Sequence, residues 1–258
     1  MRTILIALVL FAWPPGPGSQ TPASDAIAVS AAVSLSEVLQ EVATAYGQKG
    51  GGTVRFNFGA SNALARQIAD GAPADLFISA DEAQMDVVAK AGLLVEGSRV
   101  DLLGNRLAIV VSPSRQHAMT GVRDLADASF RRIAIGDVAA GVPAGVYAKQ
   151  ALERAGIWDQ VQPRLMSSAT VRAALEAVDA GRADAAIVYR TDTRVAKRAV
   201  VVWVAPIWEG PRIVYAAALI RNRPAAEQAR RFLDFLRSAT AARVFEQFDF
   251  MPVQSRSK

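Results

Sequence analysis

Short apolar runs alternate with amphipathic segments along most of this chain, and this alternation constrains its fold more than any other feature. The runs have the patterns of strands, and the segments between them have helical periodicity. Regular strand–helix alternation predicts an α/β fold with mostly parallel sheets covered by helices on both faces. The predicted strands span residues 26–30, 53–58, 75–79, 107–111, 132–135, 185–189, 200–204 and 213–220. The predicted helices span residues 34–48, 61–70, 81–91, 143–155, 171–180, 224–238 and 241–247.

Two long apolar runs, 107–111 and 213–220, flank a middle segment that has strand–helix repeats of its own. A chain of 258 residues is also near the upper limit for a single core. We therefore predict two lobes: residues 24–106 and 213–258 form lobe I, and residues 107–212 form an inserted lobe II. Ligands of parallel sheets bind beyond the carboxyl ends of strands, so we expect the ligand cleft between the lobes.

The N-terminal segment has the pattern of a secretory signal peptide. Arg2 precedes an apolar run over residues 4–13, which is too short for the roughly 20 residues that span a bilayer. Proline and glycine residues interrupt the chain directly after this run, and small residues follow. We predict that residues 1–23 are a signal peptide, cleaved after Ala23 or Ala26, and that the mature protein is exported and soluble.

Composition excludes several classes of site. The chain has no cysteine and one histidine, His117, which removes disulfides, thiolate metal sites and cysteine nucleophiles. The acidic residues between 70 and 86 have the spacing of helix caps and surface positions, so we expect no site for a free metal cation. The net charge is +5, but basic residues lie among acidic ones and form no continuous face. This pattern favours attraction of anions over binding of nucleic acid, which we do not expect.

Two helix starts in the first third of the chain carry a serine. Ser34 and Ser61 each follow a predicted strand after small or apolar residues. The first N–H groups of a helix have no partner within it and lie at the positive end of its dipole, which makes such a start an anion site. Serine is also a preferred N-cap, and Ser34 with Glu37 fits a capping box, so we expect both serines to cap their helices. If the two strands are neighbours, both hydroxyls converge on one spot.

Three further positions in the middle segment fit the same pattern. A glycine-rich loop, 136–145, leads into a helix with Pro143 in its first turn, and residues 167–172 open another helix. Tyr189 ends a strand, where its hydroxyl can point into the cleft. Each position also has an ordinary structural explanation. Pro143 is common in the first turn of a helix, the serines at 167 and 168 can cap the next helix, and Tyr189 can pack in the core.

A serine hydrolase is the alternative for Ser61. Residues 59–63, GASNA, are similar to a nucleophile elbow between a strand and a helix. A catalytic triad requires a histidine base, and His117 lies in a polar, turn-like stretch. We therefore favour binding over catalysis and expect no enzymatic activity.

The chain resembles the periplasmic molybdate-binding proteins of ABC importers. The resemblance is carried by AAVSL at 31–35, FGASNALARQI at 58–68, GAPADLFISAD at 71–81, LGNRL at 103–107, VPAGVYAK at 142–149 and IVY at 187–189. It implies a two-lobed periplasmic binding protein of type II, with the ligand cleft between lobes. It also implies a monomer without a cofactor, which binds molybdate or tungstate in the periplasm and delivers it to a membrane ABC permease.

The resemblance further implies which residues bind the ligand. They are the hydroxyls of Ser34, Ser61 and Tyr189 and the N–H groups of Ala144 and Val171; Asn62 and Thr170 depart from the family's usual residues nearby. Molybdenum would enter as the oxyanion, which has no proton to offer, so a site made only of donors suits it. A protonated phosphate would leave its own donor unpaired. Sulfate is the alternative ligand that only cavity size would exclude.

Overall fold

Ten strands form the core of the fold. The computed structural model describes residues 26–115 and 119–253, so the predicted signal peptide and His117 lie outside the described residues. The strands are β1 (Ile27–Ala32), β2 (Val54–Gly59), β3 (Leu76–Ser79), β4 (Val100–Asn105), β5 (Leu107–Val111), β6 (Ile133–Gly136), β7 (Leu165–Ser168), β8 (Ala185–Tyr189), β9 (Val200–Val204) and β10 (Ile213–Leu219).

Helices cover these strands. The α-helices are α1 (Ser36–Gln48), α2 (Ser61–Ala69), α3 (Glu82–Lys90), α4 (Pro143–Arg154), α5 (Trp158–Val161), α6 (Val171–Asp179), α7 (Ala226–Leu236) and α8 (Ala239–Gln247). Short 3-10 turns lie at Val33–Leu35, Pro113–Arg115, Val122–Ala126, Gln162–Arg164 and Thr191–Val195. None of the helices in the described part of the chain has the length and apolarity needed to cross a membrane.

The strands divide into two sheets with matching topology. Lobe I has the order β2-β1-β3-β10-β4, and lobe II has the order β7-β6-β8-β5-β9. In each sheet a single strand, β10 or β5, runs antiparallel to both neighbours, so both sheets are mostly parallel, as predicted. The predicted adjacency of the first two strands is confirmed, since β1 pairs with β2 in parallel.

The antiparallel strands are those by which the chain enters each lobe. Strand β4 ends at Asn105 and β5 begins at Leu107, so Arg106 alone links them; residues 205–212 link β9 to β10. A strand that enters from the cleft must run away from it, whereas the parallel strands run toward it. We keep the predicted lobe boundaries, 24–106 with 213–258 and 107–212, as our assignment.

The central strands are buried along their whole length. Every residue of β3, β5, β8 and β10 is buried, because helices pack on both faces of each sheet. Strands buried on both faces are nearly continuous apolar runs, which is why the pattern predicted them well.

Two strands, β4 and β7, were not predicted, and both contain residues that are exposed or only partly buried. Strand β4 carries an exposed Asp101, and β7 is an edge strand without a fully buried residue. The prediction that residues 167–172 open a helix is wrong at its start, because Ser167 and Ser168 pair with β6 as the end of β7. Helix α6 begins at Val171, where the predicted helix 171–180 also begins.

Candidate functional site

The carboxyl ends of three parallel strands in each lobe surround one small cavity between the lobes. Its volume is about 20 Å³. Twelve residues line it: Ala32, Val33, Ser34, Gly59, Ala60, Ser61, Ala80, Val142, Pro143, Ala144, Val171 and Tyr189. All five predicted site residues are therefore brought together, although their role as ligands stays a prediction. None of the twelve is charged.

Ser34 does not cap α1, and the predicted capping box with Glu37 is wrong. The chain forms a 3-10 turn at Val33–Leu35 after β1, and α1 begins only at Ser36, without a side-chain cap. The Ser34 Oγ lies 2.9 Å from the Oη of Tyr215 on β10, and both residues are buried. The long-range contact with Tyr215 thus replaces the local cap.

Ser61 does not cap α2 either. It is the first residue of the helix, and Ala60 occupies the N-cap position without a side-chain bond. The Ser61 Oγ instead accepts a hydrogen bond of 2.9 Å from the N–H of Ala80, at the end of β3. Because an N–H can only donate, the hydroxyl proton of Ser61 stays free to point elsewhere.

In lobe II, the start of α4 lies unusually close to β6. A Cβ atom on Gly145 would lie 1.9 Å from the carbonyl oxygen of Gly136, so only glycine permits this approach. Pro143 is in the first turn and has no N–H, which makes Ala144 the first N–H donor of the helix proper. Ala144 is buried in the wall of the cavity.

Helix α6 supplies the second helix start of lobe II. The Oγ1 of Thr170 accepts a 3.0 Å hydrogen bond from the N–H of Ala173, so this threonine is a functional N-cap. The cap occupies a donor further along the helix and leaves the N–H of Val171, the first helical residue, without an intrahelical partner. Val171 is buried against the cavity.

Tyr189 is the last residue of β8 and is fully enclosed, with 1% of its surface exposed. Its Oη has no hydrogen-bond partner among the residues that the structure describes. Burial raises the pKa of this hydroxyl well above its usual range, and the nearby phenols and carboxylates add to the effect, so it keeps its proton. A buried hydroxyl without a partner is rare and indicates a group that a ligand satisfies.

Arg172, beside the cavity, forms ion pairs with carboxylates from both lobes. The guanidinium of Arg172, next to Val171, binds Asp192 at 2.5 Å and Glu37 of lobe I at 2.6 Å. Burial alone would lower the pKa of Arg172, but the two carboxylates raise it. Burial raises the pKa of Asp192 to about 6 despite its ion pair. The described residues contain no group of three or more His, Asp or Glu that could hold a metal ion.

Asp81 of lobe I follows the lining residue Ala80 in the chain. It caps α3 by accepting a 2.8 Å hydrogen bond from the N–H of Gln84, and Ser79 donates a further one of 3.3 Å. Burial raises its pKa to about 6, although these hydrogen bonds lower it. No basic side chain forms an ion pair with Asp81 among the described residues.

Sequence reasoning missed the polar contacts that join the lobes. The Nδ2 of Asn62 donates to the carbonyl of Ala140 at 2.8 Å, and the Nε2 of Gln84 donates to that of Gly141 at 3.3 Å. Both side chains extend from helix starts of lobe I to the turn before α4. Polar residues in the first turns of α2 and α3 were the available signal, but a sequence does not show which lobe faces them.

The fold and site can now be compared with known proteins. The family described as bacterial extracellular solute-binding protein matches residues 27–250. The chain belongs to this family. This solute-binding protein is 36% identical over 231 residues to the molybdate-binding protein ModA of Escherichia coli, covering 87% of this chain and 88% of that protein. It is 34% identical over 242 residues to ModA of Haemophilus influenzae, covering 91% and 93% of the two chains.

Among solved structures, the periplasmic molybdate-binding protein of Azotobacter vinelandii has the same fold as this solute-binding protein. The TM-score is 0.79 at 24% identity, over 88% of this chain and all of the other. The predicted two-lobed fold is therefore confirmed. Proteins of this kind bind solutes and are not enzymes, so the hydrolase alternative is wrong. Within the described residues, the Ser61 hydroxyl accepts from the N–H of Ala80.

Proposed function

We propose that this solute-binding protein binds molybdate or tungstate as the dianion in the cavity between its lobes. The observation that carries the proposal is the buried hydroxyl of Tyr189, which lines the cavity without a hydrogen-bond partner in the described chain. Leaving a buried polar group unpaired costs about 1–3 kcal/mol. A ligand that accepts a hydrogen bond from the Tyr189 hydroxyl would remove this cost.

The other lining groups support the same class of ligand. Ser61 receives a hydrogen bond from the N–H of Ala80, which leaves its own proton for the cavity. The N–H groups of Ala144 and Val171 are at helix starts and can only donate. An ionised tetrahedral oxyanion accepts in every direction and fits such a set. Phosphate keeps at least one proton near neutral pH, and no carboxylate or amide side chain of the described residues lines the cavity to accept it.

The volume of the cavity and the lack of charge in its lining narrow the choice of ligand. A cavity of about 20 Å³ is larger than the roughly 10–15 Å³ needed for one water but too small for a sugar, an amino acid or an organic acid. The lining has no charged side chain, so helix starts supply the positive potential. Sulfate meets the charge criterion as well, but it is smaller; the molybdate-binding relatives favour the larger ion.

In the cell, we place this protein in the periplasm, exported by the signal peptide predicted at residues 1–23. It acts as a monomer without a cofactor and does not bind nucleic acid. Closure of the lobes captures the anion, and a membrane ABC permease receives it. Contacts that cross the cleft, such as Glu37–Arg172 and Asn62–Ala140, would form on closure and break when the permease opens the lobes.

Calorimetric titration of the mature protein with molybdate, tungstate, sulfate and phosphate tests the proposal. We expect molybdate and tungstate to bind tightly with similar affinity, sulfate to bind much more weakly, and phosphate not to bind. Tight binding of phosphate, or failure of both molybdate and tungstate to bind, would refute it. Preference for sulfate would establish the alternative oxyanion.

A further inference from the structure

A buried chain of hydrogen bonds leads from the crossover between the lobes to Ser34. We propose that Tyr215, through this chain, is a positioning residue that keeps the Ser34 proton available to the cavity, and so favours fully ionised oxyanions over protonated ones. The inference rests on the proposed function, because it concerns the same cavity. Tyr215 does not line the cavity and is not itself a ligand.

The direction of this chain of hydrogen bonds is fixed at its far end by the backbone N–H of Arg106. The N–H of Arg106 donates to the Oδ1 of Asn105 at 2.8 Å. A backbone N–H cannot accept, so the carboxamide oxygen must face it and the amide nitrogen must face the other way. That nitrogen donates to the Oη of Tyr215 at 3.2 Å and to the Oγ1 of Thr191 at 2.9 Å.

The same reasoning orients the Tyr215 hydroxyl. Its oxygen receives the Asn105 amide, and its other neighbour is the Ser34 Oγ at 2.9 Å. Tyr215 is fully buried, and burial raises the pKa of its hydroxyl far above the usual range, so the proton is present and needs an acceptor. Ser34 is the acceptor in reach, so Tyr215 donates to Ser34.

Ser34 therefore accepts from Tyr215 and cannot donate to it, which leaves the Ser34 proton for the cavity. Ser61 has the same arrangement, with the N–H of Ala80 in the place of Tyr215. A serine hydroxyl normally rotates between donor and acceptor roles according to its partner. In both serines one lone pair is engaged within lobe I, which restricts the rotation of the hydroxyl and favours its donor role toward the cavity.

The donor of Tyr215 is a side-chain hydroxyl, which a substitution can remove, whereas the donor of Ala80 is a backbone N–H. In Tyr215→Phe, the ring still packs against Phe250, at 5.5 Å between centroids, but Ser34 is free to rotate. It then donates to molybdate less reliably and can accept from a protonated ligand. We expect molybdate affinity to fall by about three- to tenfold, the value of one hydrogen bond, and phosphate binding to be unchanged or stronger.

The decisive measurement is a double-mutant cycle in calorimetry. If Tyr215 acts through Ser34, Tyr215→Phe has no further effect on molybdate affinity once Ser34→Ala is present. The molybdate-to-phosphate affinity ratio also falls in the single variant. Tyr46→Phe is the matched control, because it deletes the hydroxyl of a buried tyrosine of lobe I whose ring packs edge-on against Phe232, at 5.1 Å, and which forms no hydrogen bond with Ser34 within the described structure. We expect this control to leave both affinities unchanged.

The outcomes separate the inference from the proposed function. Additive effects in the cycle, or an unchanged ratio in Tyr215→Phe, would overturn the inference while molybdate binding by the wild type still stands. Wild-type protein that binds no oxyanion would overturn the proposed function and the inference with it. If Tyr215→Phe melts far below the wild type, Asn105→Ala provides the second test. It keeps the phenol but lets Tyr215 accept from Ser34, so the ratio must shift in the same direction.

Discussion

The two lobes have the same strand order but supply the cavity with different kinds of donor. In lobe I, strands β1 and β2 lead to the hydroxyls of Ser34 and Ser61. In lobe II, the corresponding strands β6 and β7 lead to backbone N–H groups at Ala144 and Val171, and β8 ends in the Tyr189 hydroxyl. The shared topology places three strand ends of each lobe on the cavity, and the local sequence decides what each end offers.

The difference shows which ligand-binding groups are already held in place by the fold and which are not. Both serines of lobe I are already held by bonds within that lobe, from Tyr215 and Ala80. The Tyr189 hydroxyl of lobe II has no partner among the described residues. We infer that the lining hydroxyls of lobe I are held in place before the ligand binds, whereas the lining hydroxyl of lobe II is satisfied by the ligand. Substitutions in the two lobes should therefore separate stability from affinity.

The largest effect is expected from Gly145→Ala, which displaces the backbone N–H donor of Ala144 in lobe II. The added Cβ would lie 1.9 Å from the Gly136 carbonyl oxygen, so the start of α4 must move away from β6 and carry Ala144 with it. We expect the free energy of unfolding to fall by about 3 kcal/mol, as at overpacked sites. Molybdate affinity should fall by about tenfold or more through loss of an N–H donor.

Gly47→Ala is the matched control for this substitution. Gly47 is a helical glycine of α1 in lobe I, and a Cβ there meets nothing within 4 Å. Alanine should stabilise the helix by about 0.5–1 kcal/mol and leave affinity unchanged. Thermal melting and calorimetry report both quantities. If Gly145→Ala were as stable and as tight-binding as Gly47→Ala, the close approach of α4 to β6 would not position the donor.

Next in size is Ser61→Ala, which should reduce both affinity and stability. The substitution removes a donor to the ligand and also leaves the buried N–H of Ala80 without its acceptor. Each loss costs about 1–3 kcal/mol, the first in molybdate binding and the second in unfolding of the free protein. Ser34→Ala should weaken binding by a similar amount. Calorimetry that finds unchanged molybdate affinity in both variants would contradict the assignment of lobe I.

Tyr189→Phe is the corresponding test of lobe II, and it should reduce affinity alone. The substitution removes a hydroxyl that has no partner in the described structure, so the ligand-free protein should melt no lower than the wild type and by this argument somewhat higher. Molybdate binding should weaken by about 1–1.5 kcal/mol, since one hydrogen bond is lost. A lower melting temperature without ligand would mean that the Tyr189 hydroxyl is satisfied within the protein.

The contrast between these variants also marks how far sequence reasoning reached. The strand–helix alternation located the helix starts, because buried parallel strands are apolar throughout. It did not identify the partners of the serines: cap preference is local, whereas Tyr215 and Ala80 approach from distant parts of the chain. Tyr215 itself lies within a buried strand, where a tyrosine is read as core. Asn62 was noted as unusual, but its acceptor, the Ala140 carbonyl, belongs to the other lobe.

The smallest effect concerns Asp81, an acidic residue beside the lobe I lining of the cavity. Asp81 has its pKa raised to about 6 by burial, and its charge is close enough to contribute to the raised pKa of Tyr189. Because the folded-state pKa is above the unfolded value of about 4, Asp81 binds its proton more tightly when the protein is folded. Its stabilising contribution is present below about pH 4 and is lost as the pH rises through about 6.

The ionised carboxylate should also repel a bound dianion, so molybdate affinity should increase as the pH falls through about 6. We expect Asp81→Asn to remove this dependence and to raise affinity near pH 8 by only about two- to fivefold, since the lobe I donors stay in place. The amide oxygen can still accept the N–H of Gln84, so the cap of α3 is retained. Titrating both proteins over the same pH series cancels any protonation of the ligand itself. Parallel pH profiles for wild type and variant would show that the Asp81 charge does not reach the cavity.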